Sequence, residues 1–457
     1  MRSMDSGDKS FLGEWPVGKV LLKMSVPSIV ALTVYNINTI VDTIYISRGV
    51  GINAAGGLSV SFPLFIFLSA VSTTLGSGSA SVVSRALGRK EYEKADKTAA
   101  NTFGLFYAVA GCITVFGLLF LKKLLYGMGV TQELFPYAEK YTRIILLGSV
   151  TSTAFSSLIR AEGNSMFALY IWCIPMVVNL IFDPVLIFGF HLGVSGAAGA
   201  TVLAQCVSVG MSVYYFFFSG KSALKIKAVH FLPDGMILRE ITGIGLPSLI
   251  QLGSYSIGLI VINRMLKKFG GDMQLNTYGI VNKINIFLII PINGIVQGVQ
   301  PVIGYNYGAG KKDRVGIALK KSIAAAGIYG ILASCIVFLF ADTILHVFTS
   351  DLEVRKTASF VFRITNAGIL FSAIQSVETA YFQAAGKKKA ALLLSLCTYI
   401  FCFIPIAAGL SALYGVNGIW YSFPAASITS CGISSVFIVY TVRKERHEQE
   451  DNTPVAE

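Results

Sequence analysis

Apolar runs of about 20 residues recur along the whole chain, each long enough to cross a hydrocarbon core of about 30 Å as a helix. Thr102 to Leu121, Trp172 to Phe190, Val194 to Phe218 and Ala390 to Leu413 are examples. Inside lipid a backbone has no water to bond, so such runs fold as helices or as closed barrels. Their continuous apolarity, with no strict alternation, selects helices. The chain of 457 residues is 54% hydrophobic and only 13% charged, and its mean hydropathy is +0.67. Nothing in it reads as a separate soluble domain. The polar breaks divide it into about twelve spans, centred near Ile37, Leu68, Ala110, Leu147, Val178, Val207, Ile257, Ile290, Leu332, Ile369, Leu396 and Ile428. The fold class expected is an all-α membrane protein.

The charges fit a topology better than a nucleic-acid surface. Net charge is +13, but the basic residues lie in short loops, not on one amphipathic face. RALGRKEYEKADK, KSALKIK, GAGKKDR, GKKK and RKERHEQE fall on one side, while FHLGVSG and LYGVNG on the other carry no Lys or Arg. The positive-inside rule then places both termini in the cytoplasm of a multi-pass cell-membrane (inner-membrane) protein. Lys122, Lys123, Lys267 and Lys268 moderate the bias. The first residues, MRSMDSGDKSFLGEWPVGK, have no short apolar core with a small-residue cleavage site, so the amino terminus is expected to be retained. Seven cysteines all lie in apolar segments, without a Cys-x-x-Cys pair or histidine cluster, and read as small buried hydrophobes, not as disulfides or a zinc site.

An internal repeat appears when the chain is shifted by about 220 residues on itself. SVPSI around Pro27 matches GLPSL around Pro247, and RALGRKEYEKA around Gly88 matches NYGAGKKDRV around Gly308. RAEGN at Arg160 matches QAAGK at Gln383, and LGVSG at Gly193 matches YGVNG at Gly415. The expected organisation is a six-helix lobe over 1–220, a cytoplasmic linker over 221–235, a second six-helix lobe over 236–445 and a charged tail over 446–457. Six spans per repeat make both halves enter the membrane in the same direction. That is the plan of alternating-access transporters, with substrate bound between the halves.

Ionisable groups inside spans are costly and point to function. Tyr35, Asn38 and Asp42 share one face of the first span, as spacings of three and four require, and such a polar stripe reads as a cavity wall, with Tyr35 and Asn38 facing substrate. Asp42 at a solvated helix end is the bland alternative. Asn179 and Asp183 in NLIFDP lie one turn apart and can share a proton or a cation, and Pro184 removes a backbone donor there. A simple turn at Asp-Pro is the competing reading. Thr201 on the next span could add a hydroxyl, though threonines often bond their own helix. In the second half Glu378 in AIQSVETAYFQAAG is the central acid, either a second titrating or cation-attracting group or a silent partner of Arg363 or Lys387. Asn282, Asn285, Asn293, Gln297 and Gln300 fall within one arc of a single helix, lining a substrate cavity or serving as interhelical glue. Pro27, Pro175, Pro247, Pro291, Pro301 and Pro405 interrupt spans. No G-x-x-x-x-G-K-[ST] motif supports ATP-driven pumping, and the scattered histidines argue against metalloprotease or acyltransferase chemistry.

The stretch VDTIYISRGVGINAAGGLSVSFPLFIFLSAVSTTLGSGSASVVSRALGRKEYEKAD resembles the multidrug and toxic compound extrusion (MATE) family. LIRAEGN, NLIFDPVLIFGFHLGVSGAAGATVLAQ, GLPSL, PVIGYNYGAGKKDRV and YFQAAGK extend the resemblance over both repeats. It implies two six-helix lobes forming a V-shaped cleft, and antiport of organic, often cationic compounds against H⁺ or Na⁺, with no other cofactor. In the DinF-like branch the coupling ion sits in the amino-terminal lobe, at places matching Asp42, Asn179, Asp183 and Thr201; Pro27 matches a hinge of the first helix. Two departures stand out. The fourth span offers only Thr151, Ser152, Thr153, Ser156 and Ser157 where relatives place an asparagine, and the seventh has Gln251 and Tyr255 but no carboxylate. The partners expected are small organic molecules and the bilayer, with no nucleic acid, for a monomer. A flippase for lipid-linked oligosaccharides shares the general fold but would want cationic side chains inside the cleft. A non-transporting membrane protein predicts no coupled flux.

Overall fold

The computed structural model describes residues 11–149, 155–348 and 351–450, so Thr151, Ser152 and Thr153 and most of the tail after 445 lie outside the detailed description. Sixteen α-helices run through the described residues, with no strand. They are α1 (Phe11–Glu14), α2 (Val17–Gly49), α3 (Ile52–Gly88), α4 (Tyr92–Leu119), α5 (Leu121–Gly127), α6 (Phe135–Gly148), α7 (Phe155–Ala161) and α8 (Ser165–Pro184). After these come α9 (Val194–Val213), α10 (Gly235–Gly308), α11 (Lys312–His346), α12 (Leu352–Asn366), α13 (Ile369–Ala384), α14 (Lys388–Leu396), α15 (Ile404–Tyr414) and α16 (Val416–Glu450).

Nine of the described helices are long and apolar enough to cross a membrane, and α12 with α13, bent by 41°, makes a tenth span. The 74-residue α10 is two spans joined at Gly271, whose φ of 68° requires glycine in this turn. Helices α6 and α7 flank residues 150–154 at the place expected for the fourth span. All twelve expected centres fall in helices. The outward faces are apolar: Leu339, Phe340 and Ile328 on α11 are exposed, as suits a surface solvated by lipid tails.

The repeat is visible in the backbone. Gly193 (φ 55°, ψ −129°) and Gly415 (φ 58°, ψ −134°) adopt nearly one left-handed conformation, each immediately before the last long helix of its half. Gly163 and Gly386, and Lys90 and Gly310, pair in the same way at positive φ.

The described residues cluster into two compact units. Unit 1 runs to Leu249 and takes in Gln300–Val315; unit 2 is Ile250–Val299 with Gly316 onward. Both ends of α10 thus pack inside unit 1, where they meet α3 through small residues. A Cβ at Gly88 would strike the carbonyl of Tyr305, and one at Gly308 would strike the carbonyl of Arg85. Glu240 beside this seam pairs with Arg85 at 3.0 Å and Lys94 at 2.9 Å.

The linker is fastened to unit 1 by buried side chains that take its backbone. Glu162 accepts from Ala223 N at 2.5 Å and from the Ser222 hydroxyl at 2.9 Å. Asp96 accepts from Lys225 N at 2.8 Å. Asn101 donates to the carbonyls of His230 and Leu232 at 3.0 and 3.2 Å, and accepts from Asp234 N at 2.8 Å. Asp234 then caps α10 by accepting from Met236 N and Ile237 N.

Proline 27 leaves α2 continuous. Its missing N–H strips the Lys23 carbonyl of its helical donor, and Ser165, in the first turn of α8, donates its hydroxyl to that carbonyl at 2.6 Å. The neighbouring Ser28 hydroxyl donates to Met24 O at 3.0 Å.

Two predictions follow from these bonds. Glu162→Ala strands a buried N–H and a hydroxyl, and should destabilise unit 1 by about 2–3 kcal/mol; thermal unfolding of purified protein will read this, with the exposed pair partner Glu93→Ala as a control that changes little. Ser165→Ala should cost about 1–2 kcal/mol in an otherwise native chain, Ser165→Thr much less, and the cost should largely vanish in a Pro27→Ala background, because alanine restores the N–H that the serine replaces.

Candidate functional site

In unit 1 the polar face of α2 meets that of α8. Asn38 donates its amide to Asn179 Oδ1 at 2.7 Å and to the two oxygens of Asp42 at 3.4 and 3.2 Å. Asn179 donates in turn to Asp183 Oδ1 at 3.2 Å, one helical turn along α8. Asp42 and Asp183 face each other across the helix pair. Asn179 and Asp183 are 2% and 1% exposed, whereas Asp42 and Asn38 are half-buried, so the cluster has a covered side on α8 and an open side on α2.

Helices α2 and α8 run parallel and are joined at two levels. Ser165 meets the Lys23 carbonyl near their beginnings, and Asn38 meets Asn179 at a level about 20 Å further along at 1.5 Å per residue. The cluster therefore sits on a pair of helices tied at two levels, with the proline between the two ties.

Asn38, expected from sequence to line a substrate cavity beside Tyr35, is hydrogen-bonded into the carboxylate cluster. Its spacing of four from Asp42 makes the contact, and its reach to α8 is decided by helix packing. Tyr35 stays exposed at 48% and sets its ring edge against Trp172, with centroids 5.2 Å apart. Thr201 bonds back to its own helix at Ala197 O, 3.0 Å, and meets the hydroxyl of Tyr141. Tyr141 on α6 is buried near both carboxylates and bonded to Thr201, so the fourth span brings a tyrosine to the cluster. No pattern in the residues singles it out: a tyrosine in an apolar span reads as core, and its ring does pack on Phe65. Of the fourth-span hydroxyls, Ser157 accepts from Arg160 at 3.0 Å and Ser156 is buried.

Two acceptors in the cluster, Asn38 Oδ1 and Asp183 Oδ2, are buried without a hydrogen-bond partner among the described residues. Buried polar atoms are almost always paired. Two unclaimed oxygens beside two facing carboxyl groups fit a proton or a small cation, either of which would supply the missing positive charge.

The amides of the second half are less uniform. Asn282 accepts from the Tyr255 hydroxyl at 3.3 Å across the break in α10, and Asn285 accepts from Asn366 of α12 at 2.9 Å. These two join helices, the alternative role open to them from sequence. Asn293 is exposed and Gln297 half-buried, while Gln300 clusters with unit 1. Glu378 on α13 is 3% exposed and takes the hydroxyls of Ser434 and, at 2.8 Å, Ser435 on α16. Neither expected basic partner reaches it: Arg363 pairs with Asp342 at 3.2 Å and Lys387 with Glu445 at 2.5 Å. Pro27 lies within α2 as described.

Comparison with known proteins agrees with the repeat and the fold. The MatE family model matches residues 27–185 and again 247–408, the two segments opening at the prolines that the internal repeat aligns. The chain is 25% identical over 436 residues to a multidrug export protein MepA of Staphylococcus haemolyticus, covering 95% of each chain. It is 26% identical over 433 residues to MepA of Staphylococcus aureus strain N315, covering 94% of each. Solved structures similar in fold include a MATE protein in bent and in straight conformations, each with a TM-score of 0.91 at 22% identity; the matches cover 97% of this chain and 99% and 100% of those chains. An outward-facing multidrug resistance MATE transporter matches with the same score and identity. With twelve helical centres, a doubled family match and a shared two-lobe helical fold, the chain belongs to the MATE family of multi-pass membrane efflux transporters.

Proposed function

We propose that the chain is a secondary active antiporter, of the DinF-like kind, that exports organic, cationic and amphipathic compounds in exchange for H⁺ or Na⁺. The observation that carries this reading is the chain of side chains Asp42, Asn38, Asn179 and Asp183, which joins α2 to α8 and leaves two buried oxygens unclaimed. The names of the relatives, multidrug export proteins, support organic compounds as cargo. Both termini are read as cytoplasmic and the transporter as a monomer with two six-helix lobes.

The coupling step follows from electrostatics. Two carboxylates facing each other in a poorly hydrated site repel, and an arriving proton or Na⁺ cancels one of the like charges. Asn38 then re-partitions its donor between Asp42 and Asn179, and the tie between α2 and α8 changes strength. Because α2 lacks one backbone bond at Pro27, bending there costs less than elsewhere in the helix. Loading of the ion is thereby converted into a change in the wall that α2 presents to substrate. Tyr35, exposed on the same helix, is placed to meet an organic cation with its ring face. Tyr141 and Thr201 hold the far side of the cluster.

Ethidium efflux from proteoliposomes under separately imposed H⁺ and Na⁺ gradients tests the reading. Native protein should respond to one gradient, and Asp42→Asn and Asp183→Asn should each lose at least about tenfold of gradient-driven efflux, since each removes a charge that must change between states. Full efflux in both variants would remove the proposed coupling site. Asn38→Ala cuts the bond between α2 and α8 and should reduce coupled efflux about as strongly. Tyr141→Phe loses one hydroxyl contact, about 1 kcal/mol, and should slow it about fivefold; equal rates for Tyr141→Phe and native protein would place that tyrosine in a packing role only.

A further inference from the structure

The buried acid of the second half has surroundings that the coupling site leaves unused. Glu378 is one helical turn before Phe382 on α13, and both its oxygens are met by consecutive serines of α16. Ser435 donates to Oε1 at 2.8 Å and Ser434 donates to Oε2. No cation among the described residues accompanies it, because Arg363 and Lys387 are held by Asp342 and Glu445. A carboxylate inside a membrane bundle without a counter-charge is strongly disfavoured, so the site calls for a positive partner that comes and goes.

Ser434 shows which partner. Its hydroxyl lies within reach of two acceptors, Glu378 Oε2 and the Cys431 carbonyl at 3.0 Å. With Glu378 ionised, Ser434 donates to the carboxylate. With Glu378 protonated, the acid O–H donates to Ser434 Oγ, and the serine hydrogen turns to the Cys431 carbonyl. Both protonation states are fully hydrogen-bonded with the heavy atoms where they are. One carboxyl and two hydroxyls form too small an oxygen set for a metal cation that has shed its water, whereas a proton needs only one lone pair and one acceptor.

We propose that Glu378 is a second proton-binding site of this transporter, lying in unit 2 and served by Ser434 as a switchable donor and acceptor. The bond made is O–H on Oε2 and the bond broken is that of an incoming hydronium; the reverse step returns the proton to water. Titratable groups on the elements around it are Cys431 and Glu445 on α16, Tyr381 on α13 itself, and Lys388 and Lys389 in the first turn of α14. The Tyr381 hydroxyl contacts Glu445 at 3.5 Å, and Glu445 is bound to Lys387, which keeps that charge neutralised. The site rests on its own geometry; only the use of its proton in transport rests on the antiporter reading.

Infrared difference spectra of the purified protein in liposomes, taken between acid and alkaline buffer without substrate, read the site independently of transport. The native protein should show the carbonyl stretch of protonated carboxyl groups, and Glu378→Gln should lose one component that the Asp42→Asn, Asp183→Asn double variant keeps. Glutamine retains one acceptor and one donor for the serines, so a purely structural acid would leave the fold intact and the spectrum unchanged, and that result would overturn the proposal. Ser434→Ala provides the second arm: it keeps the acid and should shift the same component to higher frequency, and an unshifted band would also overturn it. A band that responds to added Na⁺ at fixed pH, and not to pH, would replace the proton by a metal cation. With proton uptake and substrate efflux measured together under an imposed gradient, Glu378→Gln should carry one proton fewer per substrate; an unchanged ratio would exclude the site from coupling.

Discussion

Every polar group in this chain that lies within the hydrocarbon must find its partner inside the protein, and most of the structure can be derived from that one requirement. Long apolar segments become helices because a helix satisfies its own backbone. Where the helical pattern fails, a side chain takes over: the Lys23 carbonyl orphaned by Pro27 receives Ser165. Small hydroxyl residues throughout the spans, such as Thr33 and Ser61, give their hydrogens to the carbonyl one turn back. Groups that this accounting leaves over stand out. Asn38 Oδ1 and Asp183 Oδ2 are among such groups, and both belong to the proposed coupling site.

The same requirement explains why the linker is fixed. A segment that leaves the membrane after α9 and must begin α10 in register has many backbone donors outside regular structure. Glu162, Asp96 and Asn101 absorb them from unit 1, and Glu162 lies in the motif RAEGN that helped mark the repeat. The motif glycines serve a different end. Gly88 and Gly308, matched in the repeat, also touch each other's helices, so the sequence signature of duplication is at the same time a packing device.

The composition and order of the residues determined a great deal by themselves. Hydropathy placed the spans, since all twelve expected centres fall in helices and burial in lipid is a property of a segment that needs no knowledge of its neighbours. The offset matches gave the repeat, and Gly193 and Gly415 return it in their dihedral angles. Within one helix the rule of three and four placed Asn179 beside Asp183 and Asn38 beside Asp42, because spacing along a helix fixes direction.

Tertiary structure alone decided what lies across from each face. The amide of Asn38 reaching Asn179, Tyr141 lying near both carboxylates and Ser165 completing α2 depend on the rotation of one helix against another, which residue spacing does not encode. The same limit hid the bond between Asn285 and Asn366, and the two serines that meet Glu378 where Arg363 or Lys387 was one expected partner. The breaks also escaped pattern reading: Gly271 reverses the backbone between two spans of α10 because only a residue without a Cβ accepts that conformation at low cost, whereas Pro27, the stronger breaker on paper, sits in an unbroken helix because a serine from α8 supplies what it lacks. Sequence fixes what each helix offers on its own faces, and packing determines which offers are met, because contacts between helices depend on distances in space that no one-dimensional spacing contains.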